Sequence, residues 1–194
     1  GYIGWALQRG GYTEANALQF SQEQAASQGW SSYGDPQYVP HVMRYYSGGS
    51  LFSGLFGNQQ IVSVAMGQLG NSGGQKFWSW YGFESRVEWC ACFASWCAEQ
   101  SGMVASGQVL KFSSCAVGAS WFQGQGSWKG KGYTPSAGDF IFFDWNKDGQ
   151  VDHVGIVVNV ANGRVNTIEG NTSNMVARRS YQLGGIVIVG YGYI

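Results

Sequence analysis

The sequence predicts an α+β fold, on three observations. Across residues 88–102 the apolar positions Cys90, Phe93, Ala94, Cys97 and Ala98 recur at the helix period, and Gly102 stands where such a helix would stop. From Phe140 onward, short β-branched and aromatic runs are joined by the turn pairs Asp148-Gly149, Asn162-Gly163 and Gly184-Gly185. Helical patterns come first and strand patterns after, the order of a domain whose helices pack on an antiparallel sheet.

Taken in order, residues 1–46 read as helices. Thr13 serves as an N-cap with Glu14 behind it and Ala15, Ala17, Leu18, Phe20 and Ala25 following, and Asp35-Pro36 pairs a second cap with a first-turn proline. With few large aliphatic residues, this segment is too small to fold well alone. Residues 47–58 hold Ser47-Gly48-Gly49-Ser50, Gly54 and Gly57, a flexible linker by composition, interrupted by Leu51, Phe52, Leu55 and Phe56. The second domain, residues 59–194, opens with a helix at 61–69, where Ile61, Val64, Ala65 and Leu69 share a face before Gly70 and Asn71. A loop over 73–86 then carries Trp78, Trp80, Tyr81 and Phe83. Together with Trp89 and Trp145, these tryptophans form either a groove wall that stacks on sugar or peptide, or a satellite hydrophobic cluster. After the helix that starts near Cys90, a further helix is predicted at 114–122, then Gly-rich turns to Gly132. Strands are predicted at 140–144, 153–160, 164–169, 176–181 and 186–191.

The chemistry-bearing residues fall on these elements. Cys90 lies in the first turn of its helix, where backbone N–H groups are unpaired and the helix dipole favours an anion; such a site lowers a thiol pKa from about 8.5 to below 7. Core packing is the other reading of any cysteine in so apolar a helix, and it is the one taken for Cys92 and Cys97. The chain holds two histidines. His41 reads as a structural helix position. His153 leads a strand, and Glu169 and Asn171 on the next strand can orient it as a base for Cys90. That requires the right register. An unbulged two-residue Asn162-Gly163 turn would point Glu169 and Asn171 away from His153, since side chains alternate faces. A three-residue loop with Gly163 left-handed, or another bulge, restores the parity and pairs Ile156 with Ile168.

Trp89-Cys90-Ala91-x-Phe93-x-Ser95-Trp96, Gly138-Asp139-Phe140-Ile141-Phe142-Phe143, Asp152-His153-Val154-Gly155-Ile156-Val157 and Thr167-Ile168-Glu169-Gly170-Asn171 resemble, in order, the motifs of the CHAP family. These are cysteine, histidine-dependent amidohydrolases/peptidases that cut bacterial peptidoglycan. The resemblance runs from about Gln59 onward. It implies a papain-like layout with Cys90 as nucleophile, His153 as base, Glu169 orienting the histidine and Asn171 as a polar helper near the oxyanion. Many relatives carry Gln before the cysteine, where this chain has Trp89, so the resemblance leaves the oxyanion donors open. Residues 1–46, with Gly29-Trp30-Ser31-Ser32-Tyr33-Gly34-Asp35-Pro36 among them, are similar to the last part of a lysozyme-like domain, without its catalytic acid.

The function classes narrow further. Zero formal charge among 194 residues argues against a nucleic-acid partner, and no run approaches the length of a membrane span. Gly (31) and aromatic residues (16%) outweigh the charged ones (11%), a balance seen in extracellular proteins that face polysaccharide. The first residue is Gly, so any export signal is expected to be removed or to lie outside this sequence. A secreted or cell-wall location is inferred from function. The four cysteines form no CxxC pair, which makes a zinc cluster a poor reading and free thiols the preferred one. Asp144, Asn146, Asp148 and Asp152, with Gly149 between, match the start of a calcium loop, but Gly155 stands where the closing Glu belongs. An ordinary Asp-Gly turn needs no ion, so no cofactor is required and calcium is the alternative. The expected function is that of a monomeric peptidoglycan hydrolase, amidase or endopeptidase. Its rivals are a cysteine peptidase or acyltransferase on protein substrates, and an inert wall-binding module.

Overall fold

The computed structural model describes residues 53–194, together with Gln19, Glu23 and Ser27. The chain divides into two units, Gly1–Ser50 and Leu51–Ile194. In the first, the three described residues are helical, and Gln19 Nε2 donates to Glu23 Oε1 over 2.9 Å, one turn on. The predicted caps at Thr13 and Asp35, the lysozyme-like tail and His41 lie outside the described residues.

In the second unit four helices lead: α1 (Ser53–Met66), α2 (Gln75–Tyr81), α3 (Cys90–Gln100) and α4 (Cys115–Gly124). Six strands follow, β1 (Trp128–Gly130), β2 (Phe140–Phe143), β3 (His153–Ala161), β4 (Arg164–Thr172), β5 (Met175–Gln182) and β6 (Ile188–Gly192), in one antiparallel sheet of order β1-β6-β2-β3-β4-β5. The α+β layout is the one the sequence predicts. No helix among the described residues is long and apolar enough to cross a membrane.

Three expectations need correction. The linker over 47–58 is helical from Ser53 onward, so Gly54 and Gly57 lie within α1. Once the buried residues Ile61, Val62 and Ala65 anchor the helix, each added residue gains a backbone hydrogen bond, which carries the helix back through glycines that cost about 1 kcal/mol each. The loop over 73–86 contains α2, organised by the buried Phe77. Among the Gly-rich turns before Gly132, Trp128–Gly130 forms an edge strand on β6.

α3 is buried along Cys90 to Ala98, enclosed by β3, β4, α1, α2 and α4. Its one interior polar side chain is satisfied: Ser95 Oγ accepts the Phe112 N–H over 2.9 Å. The middle of the sheet is buried on both faces. Phe140, Phe142, Val154, Ile156 and Ile168 meet the helices, and Ile141, Phe143, Val157, Val165, Ile188 and Tyr191 form a second cluster. Gly170 lets β4 lie against α3, because a Cβ there would fall 2.5 Å from Phe93 Cβ.

The β3–β4 hairpin settles the register. Its turn is the two-residue Asn162-Gly163 with φ of 52° and 71°, and Ala161 faces Arg164. The three-residue loop is therefore absent, and the parity is restored by a bulge instead. Val160 pairs with Val165 and Asn159 with Asn166, then Val157 pairs with Thr167 and Ile156 with Ile168, leaving Val158 as the extra residue.

Candidate active site

Cys90 is the first residue of α3, and the first helical hydrogen bond runs from Phe93 N–H to Trp89 O over 2.9 Å. The N–H groups of Cys90, Ala91 and Cys92 thus have no partner within the helix. His153 is the first residue of β3, opposite Phe143 on β2. Its Nε2 lies 2.9 Å from Glu169 Oε2, with 12% of the histidine side chain and 1% of the glutamate exposed. Two hydroxyls complete the carboxylate's shell: Tyr181 donates to Oε2 over 3.0 Å and Thr167 to Oε1 over 2.5 Å. A Cβ on Gly155 would fall 2.6 Å from Glu169 Cγ, so the strand carrying the histidine needs glycine to admit the glutamate.

The electrostatics pair Cys90 with His153. Burial works against the imidazolium, but hydrogen bonds to Cys90 and Glu169 and their negative charges outweigh it and push the His153 pKa to about 10. The Cys90 thiol is held well below the usual thiol range by a hydrogen bond from Cys115, against burial, with further help from a hydrogen bond and charge of His153 and from the Ala91 N–H. With Nε2 committed to Glu169, Nδ1 is the nitrogen left for the sulfur. Burial, followed by the charge of Cys90, raises Cys92 to about 11, and burial raises Cys97 as well. All four cysteines are free, and Cys90 alone has the environment of a thiolate.

The remaining predicted residues divide. Trp145 is 44% exposed, stacked on Phe143 at 5.2 Å, with its ring 6.5 Å from that of His153, so it walls the site. Trp78 is half-buried and donates to Gly73 O over 3.1 Å, and Trp80 lies under the Lys111 ammonium at 4.3 Å. Trp89 is fully buried, stacked on Phe77 at 5.5 Å and covered by Gly74, so it is core and not groove. Packing of α2 against α3 turns it inward.

Asn171 does not simply face His153. A second bulge, after Glu169, puts it in a left-handed conformation with φ of 58°, and its Nδ2 donates to the Glu88 carboxylate, beside the entry to α3. In the loop between β2 and β3, Asp144 accepts N–H bonds from Lys147, Asp148 and Gly149, and Asp152 accepts from Trp145 and Asn146. Asn146 Oδ1 accepts the Asp148 N–H. These groups bind the turn together, and among the described residues no group of three or more His, Cys, Asp or Glu side chains could hold a metal ion.

Sequence reasoning misses Thr167, Tyr181 and Cys115. Thr167 lies two residues before Glu169 on the same strand face, so alternation alone could have found it. Tyr181 needs the β4–β5 register, and nothing in the sequence brings Cys115 to Cys90.

The fold and the site together define an α+β domain in which a cysteine opens a helix against an antiparallel sheet that presents His and Glu. Residues 80–171 match the CHAP domain family, and the chain carries a CHAP domain there. The chain is 31% identical over 169 residues to the bifunctional muramidase/DL-endopeptidase CwlT of Bacillus subtilis (strain 168). That alignment takes in 85% of this chain and 47% of the relative, so the chain spans about half the length of the curated relative it matches. Among solved structures it is similar to Ly7917 with the hydrolyzing product of MDP, at 19% identity and a TM-score of 0.46, covering 69% of this chain and 61% of that one. It is also similar to NlpC1 from Trichomonas vaginalis, at 14% identity and a TM-score of 0.40, covering 70% and 43%.

Proposed function

We propose that this chain hydrolyses an amide bond of bacterial peptidoglycan with Cys90 as nucleophile, His153 as acid and base, and Glu169 holding the histidine. The observation that carries this reading is His153 hydrogen-bonded to Glu169 over 2.9 Å in a CHAP domain whose Cys90 opens α3. The Cys90 thiolate attacks the carbonyl carbon, a C–S bond forms, and the carbonyl electrons move onto oxygen. N–H groups at the start of α3, which have no partner within the helix, are donors for that oxyanion. As the C–N bond breaks, His153 gives its proton to the departing amine. Water then attacks the thioester while His153 takes a proton from it, the C–S bond breaks, and a carboxylic acid leaves. Glu169 keeps the imidazole oriented and compensates its charge throughout.

The relative's activity as a DL-endopeptidase supports a peptide bond of the stem as the target, with action at the cell wall. The exposed Trp145 ring beside His153 is a surface on which that peptide or its sugar stacks. Digestion of defined muropeptides with product masses tests this. The expected products carry a shortened stem still joined to muramic acid, and Cys90→Ala yields none while its melting curve stays close to the parent's. Release of whole stem peptides would instead assign an amidase, and an active Cys90→Ala variant would remove the mechanism.

A further inference from the structure

Cys115 has no part in the chemistry described so far, yet it lies against its centre. It opens α4 directly behind the N-cap Ser114, whose Oγ accepts the Val117 N–H, and its Sγ is 3.5 Å from Cys90 Sγ. Both residues are nearly closed off from solvent, at 7% and 5% exposure. The separation is far beyond the roughly 2.05 Å of a disulfide and within reach of a sulfur hydrogen bond. One of the two must donate, and the surroundings decide which.

The titratable groups facing Cys90 are His153 from β3, Cys115 from α4 and Cys92 along its own helix. Those facing Cys115 are Cys90 and the Asp152 carboxylate, both of which resist a negative charge on it, as does burial. An imidazolium stands at one sulfur and a carboxylate near the other. The proton therefore belongs on Cys115, and Cys90 is the acceptor.

We propose that Cys115 is a positioning residue of the active site, whose S–H donates to the Cys90 sulfur and keeps the nucleophile anionic and fixed until substrate arrives. The assignment rests on the reading of Cys90 as nucleophile. A thiol is a weak donor, so this hydrogen bond yields when Cys90 turns to the carbonyl carbon. The proton stays on Cys115 through the reaction, because His153 alone exchanges protons with substrate.

The test is the pH dependence of Cys90 alkylation by iodoacetamide, followed by peptide mass in the whole chain. Parent, Cys115→Ala, Cys115→Val and Cys115→Ser are compared, with melting curves recorded alongside. Ala and Val remove the donor, and Val fills the space if Ala leaves a damaging cavity. Ser keeps a donor. In the parent, labelling should already be fast at about pH 6. Losing a hydrogen bond to a charged group should raise the midpoint by about one pH unit or more and slow labelling roughly tenfold at pH values below the parent's midpoint, with Ser restoring most of both. A folded Cys115→Ala or Cys115→Val protein with the parent's midpoint would overturn the assignment while leaving Cys90 as nucleophile. A parent whose Cys90 labels only as a free thiol does, near about pH 8.5, would remove the thiolate reading and the role of Cys115 with it.

Discussion

His153 stands between two negative groups, Cys90 and Glu169, and its behaviour with pH reports on both. The thiolate must be free of its proton to attack and the imidazole must hold one to release the amine, so kcat/KM should follow a bell. Its acid limb belongs to Cys90, held well below the ordinary thiol value, and its alkaline limb to His153, near about 10. Glu169→Gln removes a charge that favours the imidazolium, so the alkaline limb should move down by about one unit or more, with kcat falling at least about tenfold. A pH–rate profile of the variant checks this, and an unmoved limb would mean Glu169 does not govern the histidine. At this scale the place of Cys90 at the head of a helix and the pairing of His153 with Glu169 were legible because residue type and helix or strand position are local properties. Trp89 stayed open between groove and core for the opposite reason: it sits in sequence beside the nucleophile, but Phe77 and Gly74, well before it in the chain, decide that it faces inward. Cys115 was invisible, since 25 residues of separation carry no signal of a 3.5 Å contact.

The β3–β4 hairpin shows how an element serves the site. Parity between His153 and Glu169 was readable from the alternation of strand faces, but the device that supplies it was not, because a turn and a bulge shift register equally. The Asn-Gly pair takes its preferred left-handed turn, and Val158 absorbs the extra residue. Deleting Val158 should therefore leave Val157 opposite Thr167 and Asn159 opposite Asn166, and the variant should unfold cooperatively and keep activity within about tenfold. A folded but inactive deletion would show that the bulge's local twist, and not only its count, aims His153. The loop from Asp144 to Asp152 is a second case. Its carboxylates are occupied by its own N–H groups, so chelation with EDTA should change neither melting temperature nor hydrolysis. A melting temperature that rises with added calcium would assign the loop an ion, as its spacing allows.

At the scale of the molecule, the boundary drawn from composition and the boundary in the structure differ, and the difference is testable. Glycine and serine content placed the start of the second domain at residue 59, whereas the second unit begins at Leu51 and α1 at Ser53. Composition reports backbone freedom, and it cannot see that Ile61, Val62 and Ala65 belong to the same buried cluster as the helix of Cys90. Residue 58 itself is tied in: Asn58 Nδ2 donates to Ile194 O over 3.0 Å, and its backbone packs so closely on Gly138 that a Cβ there would fall 2.6 Å from Asn58 O. Every residue of the proposed mechanism lies after Leu51. A fragment of residues 51–194 should thus melt in one cooperative transition and cleave muropeptides at a rate within a few-fold of the whole chain. A fragment of residues 59–194 loses the start of α1 and the Asn58 hydrogen bond, a cost of about 1–2 kcal/mol, and should melt roughly 3–10 °C lower while retaining the site. Scanning calorimetry and a muropeptide digest on both fragments decide it. Equal melting temperatures would show that residues 51–58 contribute nothing to the second unit, and a folded but inactive 51–194 fragment would show that residues 1–50 contribute to catalysis.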